Sequence, residues 1–210
     1  MEELQRTTYP NGIVQAEIPC VGGVPHGQAL YYHPNGQLRL RMHYHHGIPH
    51  GVAVVYNDAG EVIQQMNYVN GMLDGLAETF YNGQLVQRAQ YSNGRLQGLL
   101  ECFAPNGTTL MTAEYRNGTL HGQRRLYTPN GRPKRIEQYA DGKLSGETLV
   151  FDDAGNLVQR LMFSNDQLDG VCSTYDSFGN IVEQVRYANG VPIETLPPSA
   201  QRSTGIWIER

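Results

Sequence analysis

Of the seven histidines in this chain, five (His33, His43, His45, His46 and His50) fall close together, and they are the residues whose types best suit chemistry. Imidazoles at such density raise the question of zinc, which needs several ligand atoms converging at about 2.0 to 2.3 Å. His43 and His45, two apart, point the same way from an extended segment. Carboxylates offer less. Asp74, Glu78, Glu101 and Asp169 are scattered, and no pair is placed for acid–base work. The sequence has no G-x-S-x-G elbow, phosphate-binding loop, dinucleotide fingerprint or H-E-x-x-H helix. The expectation is that the protein is not an enzyme.

What must position these side chains is a repeat. Tyr32, Tyr56, Phe80, Phe103, Tyr127, Phe151 and Tyr175 recur every 23 or 24 residues, the mark of a tandem architecture. Gly36, Gly60, Gly107, Gly131, Gly155 and Gly179 follow four residues after an aromatic, while Gly12 and Gly83 follow three after Tyr9 and Phe80. Next come a second ring (Tyr44, Tyr68, Tyr91, Tyr115, Tyr139, Phe163, Tyr187), a second glycine (Gly47, Gly71, Gly94, Gly118, Gly142, Gly190) and a third (Gly27, Gly51, Gly75, Gly98, Gly122, Gly146, Gly170). Cys20 takes the aromatic slot of the first copy and Asp166 the second-glycine slot of the seventh.

Within this frame His26, His50 and His121 share one slot, just before the third glycine. With two strands per copy, adjacent occurrences lie about 10 Å apart, too far to share one zinc ion. The histidines are therefore read as turn and solvent-facing residues, with no metal site and no cofactor expected.

The punctuation calls for strands. Asn-Gly recurs from Asn11 to Asn189, and that dipeptide suits the positive φ of tight hairpins. Two turns per copy give two strands per copy. In the longer strand Leu38, Met42 and Tyr44 alternate with Arg41 and His43, as Val62, Met66 and Tyr68 do with Gln65 and Asn67, the pattern of a half-buried strand. Ile63, Val86, Leu110, Val158 and Val182 break the alternation, so part of the second face should also be covered. The rings, recurring at one height, are expected to stack in two columns across the strands. The fold class is all-β: an elongated, coiled antiparallel sheet of about eight tandem hairpin repeats over residues 9–192, with a lead-in at 1–8 and a tail or cap at 193–210. Strand edges at the ends of a stack need blunting, and the tail, with Pro192, Pro197, Pro198 and the apolar Ile206-Trp207-Ile208, is expected to fold back as a cap at one end, with docking on the partner as the alternative.

The units resemble the bacterial variant of the MORN repeat, especially that of YwqK-family antitoxins of toxin–antitoxin systems, on stretches such as Pro34-Asn35-Gly36-Gln37-Leu38, Tyr68-Val69-Asn70-Gly71 and Leu120-His121-Gly122. The better-known MORN form has tryptophan inside the unit, whereas the only tryptophan here, Trp207, lies outside. The resemblance implies an antitoxin or immunity protein that occludes a cognate toxin or effector by direct binding. A structural scaffold or adaptor that tethers complexes or membranes is the alternative.

Composition narrows the partner. Sixteen basic and twenty acidic residues give a net charge of −4, without the basic footprint that nucleic acid or an anionic membrane demands. The local patch Arg124, Arg125, Arg132, Lys134 and Arg135 reads as a solvated strand and turn, with contact to an acidic partner as the alternative. At a mean hydropathy of −0.46 no apolar run approaches the roughly 20 residues of a spanning helix. The first six residues lack the basic and apolar regions of an export signal. Cys20, Cys102 and Cys172 fall in copies about 30 Å apart, beyond the roughly 7 Å Cα separation that a disulfide tolerates, which fits a reducing cytoplasm. With rings and turns committed to the fold, the positions free to encode specificity are the late polar-side residues Arg41, His43, Gln65, Asn67, Arg88, Gln90, Glu114, Gln138 and Arg160, expected to form one continuous stripe.

Overall fold

The computed structural model describes residues 1–197, and all their regular structure is strand, with no helix among them. Chain contacts divide the protein into two units, the first Met1–Gly107 and the second starting at Thr108. The first contains β1 (Glu2–Thr8), β2 (Val14–Val21), β3 (Val24–Pro25), β4 (Gly27–Tyr32), β5 (Leu38–His45), β6 (Ile48–Pro49), β7 (Gly51–Tyr56), β8 (Val62–Val69), β9 (Met72–Tyr81), β10 (Gln84–Ser92) and β11 (Arg95–Phe103). The second contains β12 (Thr109–Arg116), β13 (Thr119–Tyr127), β14 (Pro133–Ala140), β15 (Lys143–Phe151), β16 (Leu157–Ser164), β17 (Gln167–Leu168), β18 (Gly170–Tyr175), β19 (Ile181–Ala188) and β20 (Val191–Leu196). Within each unit the strands pair antiparallel along the chain, hairpin after hairpin. The short β3, β6 and β17 are the leading ends of hairpin arms that a third glycine interrupts.

The segment 1–8 provides a full strand, β1, registered on β2 from Glu2↔Val21 to Thr8↔Val14. It is exposed along its length and carries Glu2, Glu3 and Arg6, charges that discourage another strand from adding to it. Residues 193–196 continue β20, which pairs with β19 and contains Pro192. The tail from residue 198 onward, including the apolar run at Trp207, lies outside the described residues.

The Asn-Gly pairs are of two kinds. Asn70 and Gly71 have φ of 50° and 82°, a two-residue turn of the mirror-image type that suits the strand twist. His46-Gly47, Asn93-Gly94, Asp141-Gly142 and Asn189-Gly190 behave alike. In the Pro-Asn-Gly turns only the glycine is left-handed: His33 N–H reaches Gln37 O at 2.8 Å and Gly36 N–H reaches His33 O at 2.8 Å. Asn35 Oδ1 also accepts from Gln37 N–H, at 3.0 Å. The 23-residue spacing has its cause here, because Tyr81 pairs directly with Gln84 across a two-residue Asn82-Gly83 turn. The second residue of five of these turns also ties its copy to the one before. Gly47, Gly71, Gly94, Gly142 and Gly190 N–H donate to the carbonyls of Pro25, Pro49, Leu73, Leu120 and Leu168 at 2.7 to 2.8 Å.

The core is a transverse row of small residues. Ala29 and Met42 are cross-strand partners, as are Ala53 and Met66, and Ala77 lies between Met66 and Ala89; Ala29, Ala53 and Ala89 are buried. The neighbours Ala53 and Val54 are both buried, as are Thr148 and Leu149. Since a strand sends neighbours to opposite faces, both faces are covered at these heights; of the residues that break the alternation, Val86, Leu110 and Val158 are half-buried whereas Ile63 and Val182 are exposed. The stacked columns of rings do not form: among the described residues only histidines make ring pairs. Equivalent rings lie two strands apart, about 10 Å, and the strand between presents residues such as Leu38 opposite Tyr32. Tyrosine hydroxyls bridge instead. Tyr9 donates to Tyr32 O at 2.8 Å, Tyr32 to Glu17 at 2.8 Å, and Tyr31 and Tyr44 meet at 3.1 Å. All three cysteines are unpaired thiols, and burial raises the pKa of Cys102.

Candidate binding face and histidine cluster

Within each unit the candidate specificity residues lie on two parallel rows. In the first unit one row runs Arg6, Glu17, Leu30, Arg41, Val54, Gln65, Glu78, Arg88, Glu101, each opposite the next in register. In the second unit it runs Thr112, Arg125, Ile136, Leu149, Arg160, Ser173, Gln184. His43, Asn67 and Gln90 in the first unit, and Glu114 and Gln138 in the second, form a second row, two residues further along their strands and therefore on the same face as the first row of their unit.

Charge is already partly paired on the first row. Arg6 meets Glu17 at 2.6 Å, and Arg88 bridges Glu78 at 3.0 Å and Glu101 at 3.9 Å. Tyr32 and Arg6 together hold the Glu17 carboxyl below the usual range. Arg160 pairs with Glu147. Between these ladders Arg41 and Gln65 are exposed, with no hydrogen bond or ion pair among the described residues. Buried Val54 stands between them in register, so their long stems are placed to cover it.

The second row is more committed than the sequence suggests. Asn67 is half-buried and donates to Asp74 O at 2.7 Å. Each side chain of this row overlies a third glycine: a Cβ built on Gly51 falls 3.7 Å from His43 Cβ, on Gly75 3.7 Å from Asn67 Cβ, on Gly98 3.7 Å from Gln90 Cβ, on Gly122 3.1 Å from Glu114 Cβ and on Gly146 3.0 Å from Gln138 Cβ. These glycines, at φ of 92° to 115°, sit where the ladder shifts register, as between Met66 and Tyr68 against β9. The close approach explains why the third glycine recurs.

The shift has a second effect. It turns the residue before the third glycine toward the next copy's mirror-image turn. Asp74 Oδ2 accepts from Asn93 N–H at 3.0 Å, His121 Nδ1 from Asp141 N–H at 3.3 Å, and His26 Nδ1 from His46 N–H at 3.4 Å. His26 thus meets His45 and His46 rather than its counterpart His50, with ring centroids at 5.2 and 5.1 Å; His45 and His46 are 4.4 Å apart, and His50 lies 6.0 Å from His45. Desolvation and the neighbouring His46, His26 and His50 depress the His45 pKa. His43, though on the same side of β5 as His45, is not part of this group. The sequence signal for the cluster is the His45-His46 pair itself, with histidine in a slot that the other mirror-image turns give to asparagine, aspartate or, in the first copy, glycine.

The patch in the second unit is largely internal. Glu137 is 2% exposed, takes Arg124 Nε at 2.5 Å and lies 2.6 Å from Arg135 Nε, whose N–H is not directed at it. Tyr139 also donates to Glu137 at 3.3 Å, and the Arg124 guanidinium lies 5.0 Å over the Tyr139 ring. The bond to Glu137 raises the Arg124 pKa. Arg125 bonds Gln123 at 2.5 Å, and Arg132 bonds Asp153 O at 3.0 Å.

Three stretches, residues 25–46, 49–70 and 168–189, match the family model of a MORN repeat variant. Repeats of this kind are generally protein- or membrane-binding. No curated protein matches the chain. Solved structures that match include crystal structures of TcdB2-TccC3 and of TcdB2-TccC3-Cdc42, each 12% identical, over 91% and 90% of this chain, with TM-scores of 0.20 and 0.19. This chain spans 14% of the length of each of those, and likeness at that level carries no argument.

Proposed function

We propose that the protein is a non-enzymatic, cytoplasmic antitoxin or immunity protein that neutralises a toxic protein by covering it. The observation that carries this reading is the gap in the ion ladder of the first unit. Arg6 and Glu17 pair on one side, Glu78, Arg88 and Glu101 on the other, and Arg41 and Gln65 between them stand exposed beside His43. An arginine without an internal carboxylate is available to an acidic group on a partner, and arginine is enriched at interface hot spots. Binding through such a face needs no turnover; inhibition follows from steric cover.

The test is co-expression with a neighbouring reading frame whose product alone arrests growth. Restored growth and a stoichiometric complex on size-exclusion chromatography are expected. Persistent arrest with no complex, or pelleting of the protein with lipid vesicles, would overturn the reading in favour of a scaffold.

A further inference from the structure

We propose that His26, His45 and His46 form a binding site for one divalent transition-metal ion of the zinc, nickel and copper class. One ring nitrogen from each lies within 4.8 Å of the others. Three imidazoles holding a tetrahedral ion at about 2.0 to 2.1 Å lie roughly 3.3 Å apart, so closing onto the ion asks only for small rotations of rings of which two are exposed. Imidazole donors suit zinc, nickel and copper, whereas calcium and magnesium call for oxygen ligands.

Two further observations single the group out. First, the main chain beneath it is pinned. Gly47 N–H holds the turn to Pro25 O at 2.7 Å, His26 N–H bonds Pro19 O at 2.8 Å, and His50 N–H bonds His43 O at 2.9 Å. The placement of His26 over the next turn repeats in Asp74 over Asn93 and His121 over Asp141, so it belongs to the fold and exists before any ion arrives. Of those three bonds the one to His26 is the longest, leaving its ring the least engaged in capping. Secondly, the histidines run against the repeat. The slot of His46 holds Asn70, Asn93, Asn117, Asp141, Asn165 and Asn189 in later copies, and the slot of His45 holds Val69, Ser92, Arg116, Ala140, Ser164 and Ala188. His46 adopts a φ of 49° there, a conformation that asparagine and aspartate enter more readily than most residues. At the equivalent place His121 faces Asp141 at 3.2 Å and the Arg116 guanidinium at 3.1 Å, and a cation already fills that corner.

Three imidazoles leave the fourth position of a tetrahedral ion to water, with His50 nearby as an alternative ligand. The sequence reading missed the site because it placed His26 in line with His50, whereas the register shift at the third glycine carries it to the following turn.

The experiment is calorimetric titration of the full chain with Zn²⁺ and Ni²⁺, together with the ligand-field spectrum on adding Co²⁺. His26→Gln, His45→Ser and His46→Asn each install a residue that another copy carries in that slot, so the fold is retained, and circular dichroism checks it; His121→Gln is the control. One ion per chain is expected, with at least a tenfold loss of affinity in each of the three variants, none in the control, and a tetrahedral Co²⁺ spectrum. Absence of saturable binding, or binding that the three substitutions leave unchanged, would overturn the assignment.

Discussion

Arg124 and Glu137 face each other across β13 and β14 at 2.5 Å, in slots that the second copy fills with Ala53 and Met66. One copy has thus exchanged an apolar pair for an ion pair whose carboxylate is buried. The pair has to offset its own desolvation, and removing one member costs more than removing both.

Glu137→Met alone should therefore destabilise the protein by about 2 to 4 kcal/mol, leaving Arg124 and Arg135 without their counter-charge. The double change Arg124→Ala with Glu137→Met recreates the second copy's pair and should recover most of that loss. Urea denaturation of the three proteins decides it, and a double mutant less stable than the single one would contradict the account.

Glycine at the register shift is tested by Gly122→Ala. The new Cβ would meet Glu114 Cβ at 3.1 Å, whereas at Gly12 it would meet nothing within 4 Å. Gly12→Ala should cost about 1 kcal/mol from its left-handed backbone alone, and Gly122→Ala about 2 to 4 kcal/mol through the added crowding. Comparable melting temperatures for the two variants would remove the close approach as the reason for the third glycine.

On the outer face the arginines should separate into two behaviours. Arg41→Glu should leave stability within about 0.5 kcal/mol and weaken the partner complex at least tenfold. Arg88→Glu places like charges beside Glu78 and Glu101 and should lower stability by about 0.5 to 1 kcal/mol. If the complex survives both changes together with Arg160→Glu, recognition lies elsewhere on the molecule.

Acid should loosen the protein through its hydrogen-bonded carboxylates. The hydroxyl of Tyr32 and the guanidinium of Arg6 lower the Glu17 pKa, and the Asn156 and Asn180 side chains, with nearby backbone amides, lower those of Asp152 and Asp176. A depressed acid contributes stability that is complete above its unfolded pKa, about 4, and is lost as the pH falls through the folded value. The urea midpoint should hold between pH 7 and about 5 and decline below about 4. Tyr32→Phe should lower it near neutrality and shallow the decline; an unchanged acid slope would exclude Glu17 as a contributor.

The hairpin in each copy, the turns and the half-buried alternation were legible in the spacing of Tyr32, Tyr56 and Phe80 and in their glycines, because main-chain geometry dictates those positions; the strand at Glu2–Thr8 and the short strands before the third glycine were not. Nor were the roles of equivalent side chains. Glu137 carries no local sign of burial until its register between Arg124 and Thr148 is known, and nothing local distinguishes the left-handed Asn70 from Asn35 except the longer turn around Asn35. The rings misled through distance: a 24-residue period aligns Tyr32 with Tyr56 but inserts a strand between them. His26 misled through direction, since a two-residue shift at Gly27 is invisible in a periodic alignment.

The amides of Gly47, Gly71, Gly94, Gly142 and Gly190 reach carbonyls 21 or 22 residues earlier, main chain to main chain. A whole copy gained or lost leaves every remaining donor an acceptor at the same reach, whereas an insertion of arbitrary length inside a copy would strand one. The repeat is thereby built to change in whole steps: an added copy would arrive with its attachment already specified, and its outward side chains would stay free to vary.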